Sequence, residues 1–206
     1  RRNAPPPGFV LVALAALCVA AGVALALIGH VMPLGKSLNI LQRLLAYQGF
    51  VLLPILGIGS FFLPGLLGGA PVRLGPAPSW RRKALVALGA GALVVASFVV
   101  EAAGWPRSGH LLRFGTALAY ALATLPLLRR PLGATTPELA ARIAILSLLA
   151  GLLAVVLWPA QRTGLLHLTL IGGFAVITFV VAMRVAFIHS GQQDRLADRH
   201  RWLLVA

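Results

Sequence analysis

Apolar runs of about 20 residues recur along this chain, the length a helix needs to cross a bilayer, and nothing else in the sequence restricts its fold as strongly. They fall near 8–31, 47–68, 84–104, 109–128, 140–159 and 165–189. The chain is 59% hydrophobic and 11% charged, with a mean hydropathy of +0.92. This is the composition of a membrane protein, and the fold class it implies is an all-α, polytopic transmembrane bundle of about six spans forming one domain over residues 1–206. Breakers stand between the runs: Pro33 with Gly35, the segment GGAPVRLGPAPS, GWPRSG, RRPLGATTPE and PAQRTG. Thr136-Pro137-Glu138 has the form of a helix start. The stretch KSLNILQRLLAYQG reads as an amphipathic lead-in to the second span, lying at the interface.

The formal charge of +14 does not point to nucleic acid, because the cations sit in short connections between apolar runs. With the N-terminus inside, the inner segments hold 11 Lys and Arg: Arg1, Arg2, Arg73, Arg81, Arg82, Lys83, Arg129, Arg130, Arg195, Arg199 and Arg201. The outer segments hold four, Lys36, Arg43, Arg107 and Arg162. The asymmetry places both termini in the cytoplasm. The chain lacks an initiator methionine and stops at RWLLVA, as a piece of a longer protein would. Cys18 is the only cysteine, so no intrachain disulfide forms and a cysteine-rich zinc site is excluded. Four acids are too few for a carboxylate-rich cation site. Phosphate-binding glycine loops, a Ser-His-Asp set, CxxCH and HExxH are all missing from the sequence, which disfavours a hydrolase or an ATP-driven pump.

The polar residues inside the apolar runs are the candidates for function. His30 ends the first span, His110 begins the fourth and His167 begins the sixth, so three histidines are expected at one depth, on the outer side. His189 closes the sixth span on the inner side; 22 residues of helix separate it from His167, roughly 33 Å. The two cannot share one metal. Their directions differ by roughly 40°, with Phe174, Thr178 and Val185 between them, and this stripe is expected to face the bundle interior. Imidazole suits haem and copper, and each histidine is equally readable as an interfacial residue at a helix end. Arg184, one turn inside the inner boundary, either snorkels or pairs with an anion such as a haem propionate. Arg113 and Arg142 read as snorkelling. Glu101 is readable as a proton relay, a ligand partner or a surface residue. Pro54, Gly57, Gly59 and Pro64 should kink the second span, with Tyr47 and Gln48 at its outer end, and Gly89 and Gly91 should serve close packing in the third.

The segment LLHLTLIGGFAVITFVVAMRVAFIHSG resembles the signature helix of the NnrS family, through His167, Gly172, Gly173, Arg184, His189 and Gly191. LAYQGFVLLPILGIGSFFLP, from Leu45 to Pro64, is similar to that family's glycine- and proline-containing span. Met183 stands where the family more often has a small polar residue, and members usually have more spans than this chain. The resemblance implies a polytopic protein of the bacterial cytoplasmic membrane that contains haem and copper and acts in nitric oxide metabolism or in resistance to nitrosative stress. It implies His167 and His189 as first ligands, with His30 and His110 as outer-site partners, Arg184 as a propionate or structural cation, and nitric oxide as a ligand. Two other readings stand beside it: a small-molecule or ion transporter using the second span and Glu101, and a membrane scaffold or assembly factor without cofactor.

Overall fold

The computed structural model describes residues 5–68, 79–128 and 135–191, and these are helical with short turns between. Residues 1–4, 69–78, 129–134 and everything from 192 lie outside the described residues, and with them Arg1, Arg2, Arg73, Arg129, Arg130, Arg195, Arg199 and Arg201 of the topology count, as does His200. Six helices account for the six apolar runs. Helix α1 is Phe9–Val31, α2 is Lys36–Leu66, α3 is Trp80–Ala102, α4 is Pro106–Thr124 and α5 is Thr136–Leu157. After one turn of 3₁₀ helix at Pro159–Gln161, α6 runs through Arg162–His167, Leu168–Ala175 and Val176–His189.

Five of the six are long and apolar enough to cross a membrane. Helix α4 is the exception, because its first turns carry Arg107, His110 and Arg113. Leu17 of α1, Leu85 of α3, Leu146 of α5 and Phe179 of α6 are each more than 60% exposed, so the outer surface of the bundle is itself apolar. Such a surface in water would be an aggregation site; against acyl chains it is a solvent match.

Lipid supplies no hydrophobic force between helices, so close approach has to come from small residues. Helix α1 turns Leu11, Ala15, Cys18 and Gly22 inward, and Gly22 meets Ala46 of α2 so closely that a Cβ there would stand 2.9 Å from the Ala46 Cβ. Gly49 of α2 fits against Cys18, and Gly57 against the Gly8 carbonyl. Helices α5 and α6 repeat the device with Gly151 against Thr169 and Gly173 against Leu148. Gly91 of α3 is covered by Leu11 and Leu14, as its spacing implied, whereas Gly89 has open space where a Cβ would be and serves no contact.

Three local expectations change. The lead-in Lys36–Arg43 is no separate interfacial helix: it continues into α2, giving 31 residues, about 46 Å, longer than a ~30 Å hydrocarbon core. Its irregularity is a π-helical stretch at Leu44–Gly49, after which α2 runs on through Pro54 and Pro64 without a break. Proline at 54 has no N–H to offer the Phe50 carbonyl, and the wider winding ends at Gly49, just before that turn. Helix α6 carries a second π-helical stretch, Leu168–Ala175. Its buried face is Thr169, Gly173, Ile177 and Val180, which leaves His167, Thr178 and His189 exposed. The polar stripe therefore faces away from the bundle, because Thr169 and Gly173, being small, are the residues that let α6 lie against α5. Helix α5 begins at Thr136, as Thr136-Pro137-Glu138 implies, and the Thr135 side chain caps it by accepting from the Glu138 N–H.

Candidate functional site

The antiparallel succession of helices brings the starts of α2, α4 and α6 to the same end of the bundle as the finish of α3. Six polar side chains from these four helices meet there: Gln48, Ser97, Glu101, His110, Arg113 and Arg162. The turn between α3 and α4 is tight, with Gly104 at φ +98°, a conformation that glycine adopts without strain. Beyond it, Gly109 lets α4 lie directly on α3: a Cβ at that position would stand 2.7 Å from the Ser97 carbonyl oxygen. This contact sets Glu101 of α3 within reach of Arg113, one turn further along α4.

Arg113 is 1% exposed, and each arm of its guanidinium is used. Nη2 donates to Glu101 Oε2 at 2.7 Å, Nη1 to Gln48 Oε1 at 2.5 Å, and Nε to Ser97 Oγ at 3.1 Å. The cation also lies 4.6 Å from the centre of the Phe98 ring. His110 Nδ1 lies 3.4 Å from Arg113 Nη1 and 3.6 Å from Glu101 Oε2, so the ring packs against both members of the pair. The second Glu101 oxygen accepts from Nη1 of Arg162, at the start of α6, at 2.5 Å. Glu101 is thus a buried carboxylate between two guanidiniums, one sealed in and one a third exposed. Isolated charges in this setting are costly, and the arrangement satisfies them through charge-assisted hydrogen bonds from four helices.

The apolar runs set Gln48 and Glu101 at this level, but Arg113, which reads there as snorkelling, turns inward, and Arg162, expected in a loop, stands in the first turn of α6. The signal was there: Glu101 and Arg113 flank the short GWPRSG turn, and two helices folded back at such a turn face each other within their first turns. Arg142, also read as snorkelling, pairs instead with Glu138 at 3.0 Å and donates to the Leu127 carbonyl at 3.1 Å.

The predicted ligand histidines are dispersed. His30 is exposed at the end of α1, His110 is buried against Arg113, and His167 is exposed on α6. His189 stands at the far end of that helix. Among the described residues, no three of His, Cys, Asp and Glu come together as a metal-binding group, so these positions do not assemble a three-ligand copper centre by themselves. The two α6 histidines do share one local geometry. Nδ1 of His167 is 2.8 Å from the Thr163 carbonyl oxygen, and Nδ1 of His189 is 2.9 Å from that of Val185. A carbonyl only accepts, so Nδ1 carries the proton and the Nε2 lone pair points outward. Arg184 is half-buried, its guanidinium lying over Gly65 in the last turn of α2, where a Cβ would meet Nη2 at 2.9 Å. This location favours a cation, since the C-terminal turn of a helix presents unpaired carbonyls. No carboxylate pairs with it among the described residues.

Two grooves open on the surface. One, of about 370 Å³, runs between α2 and α6 beside the Glu101 cluster and includes Gln48 and Arg162 in its wall. The other, of about 470 Å³, lies at the opposite end and is lined in part by Ser60, Arg82, Lys83 and Tyr120. Neither is lined by a histidine. No protein-family model, no curated protein and no solved structure matches the chain.

Proposed function

We propose that this chain is an NnrS-like protein of the bacterial cytoplasmic membrane, with both termini inside, that binds haem and acts in the response to nitric oxide. The observation that supports it is the paired state of His167 and His189, each with Nδ1–H held by its own helix and Nε2 free and exposed. Haem-ligating histidines use this arrangement, in which the outer hydrogen bond fixes the ring and raises the basicity of the ligating nitrogen. A single histidine suffices as one axial ligand, so the donor set fits haem; bound there, haem would supply an iron atom able to take a diatomic gas. The chain's own part is to present Nε2 and, through Arg184 near the His189 end, a cation for a carboxylate. Copper belongs to the proposal only through the family resemblance, with ligands beyond those that converge here.

The test is the absorbance of detergent-purified protein, oxidised and dithionite-reduced, together with copper by elemental analysis. A Soret band in the wild type that shifts or disappears in His167→Ala or His189→Ala is the expected result. Clean wild-type protein with neither haem nor copper would sink the reading.

Transport is the second reading, and the Glu101 cluster favours it: two π-helical stretches, often found at functional sites, flank a buried charged group beside a groove. Chloride or nitrate flux into protein-loaded vesicles, lost in Arg113→Gln, would support this reading over haem binding. Vesicles as tight as protein-free controls would remove it.

A further inference from the structure

The groove between α2 and α6 combines an apolar wall with hydrogen-bond donors at one end. Phe50, Val51 and Leu170 line it, and Phe50 and Leu170 are exposed on the outer surface of the bundle, so the groove opens toward the acyl chains of the bilayer. At its polar end stand Arg43, Arg162 and Gln48. Gln48 spends its oxygen on Arg113, which leaves its amide N–H groups as what it offers. Arg43 is exposed and makes no hydrogen bond or ion pair with another described residue. Donors therefore predominate at this end of the groove.

The charges are unbalanced in the same direction. Glu101 is one carboxylate facing Arg113 and Arg162, and Arg43 adds a third guanidinium with no acid beside it. The surplus is positive, and it lies on the groove side of the cluster rather than inside it. A volume of about 370 Å³ is within the range of small-ligand sites. An acceptor-only anion attached to an apolar chain meets every part of this surface, and guanidinium forks match a phosphate in two-point contact.

We infer that this groove binds one anionic phospholipid from the adjoining leaflet, its phosphate held between Arg43 and Arg162 and one acyl chain laid along Phe50, Val51 and Leu170. The site is independent of haem, and its loss leaves the reading of His167 and His189 untouched. The bound lipid would tie α6 to α2 across a gap that protein side chains leave open.

Native mass spectrometry of the full chain in detergent, doped with phosphatidylglycerol, phosphatidylcholine or inorganic phosphate, tests it. One phosphatidylglycerol should survive on the wild type where phosphatidylcholine does not. Arg43→Gln, at an exposed position outside the ion pair, should weaken retention about fivefold, the weight of one cation near a membrane surface. Leu170→Trp keeps the cations but fills the apolar wall, and it should also lower retention. Equal retention of the two lipids, or wild-type retention by both variants, would overturn the inference. So would a phosphate adduct that blocks phosphatidylglycerol without any effect of Leu170→Trp, which would make the site one for a free anion.

Discussion

Arg113→Ala is expected to destabilise the protein by about 3–5 kcal/mol, because it leaves Glu101 buried at 4% exposure with its main partner gone. The loss goes beyond one ion pair. Arg113 also holds Gln48 of α2 and Ser97 of α3, so the substitution strands acceptors on two helices. Glu101→Met with Arg113→Met removes both buried charges and keeps their volume, and it should recover much of the deficit, since a buried ion pair often breaks even against apolar residues of similar size. Arg162 then loses its partner at a third exposure, where water can solvate it. Reversible unfolding in mixed micelles, followed by circular dichroism, measures both steps. A single variant as stable as wild type would mean that the cluster is solvated rather than sealed.

Gly109→Val is the second large effect. The contact that a side chain at 109 would make is with backbone, the Ser97 carbonyl, and not with the movable end of a side chain. Helices α3 and α4 must therefore separate. Overpacking of this kind costs typically 1–3 kcal/mol, and here the shift also draws Glu101 from Arg113, so the expected loss is at the upper end of that range. Gly89→Ala is the control. Open space surrounds that position, so alanine should be neutral or stabilise the helix by about 0.5–1 kcal/mol. The same unfolding measurement separates them, and a Gly109→Val protein as stable as Gly89→Ala would contradict the close packing of α3 on α4.

Most of the architecture was legible in the sequence because a bilayer makes length and apolarity decisive. The starts and ends of α1, α3, α4, α5 and α6 fall within a few residues of the apolar runs. What the runs do not encode is rotation about each helix axis. In an all-apolar helix there is no polar face to mark the outside, so the inward face of α6 is set by Thr169 and Gly173 and not by the stripe from His167 to His189. The site was legible in part for the same reason. Depth along a span places Gln48, Glu101 and His110 at one level, but whether Arg113 turns outward to the headgroups or inward to Glu101 depends on how Gly109 seats α4 on α3. The π-helical stretches at Leu44–Gly49 and Leu168–Ala175 were out of reach, since each adds a residue to a turn without changing the apolar pattern.

The central claim is that a buried Glu101–Arg113 pair joins the helices at one end of the bundle. A double-mutant cycle on Glu101→Gln and Arg113→Gln, read as unfolding free energy in micelles, tests it most directly. Direct contact at 2.7 Å predicts a coupling energy of about 1.5–3 kcal/mol, the upper part of the range for contacting groups. Two single losses that simply add, to within about 0.5 kcal/mol, would place the residues apart and contradict the account.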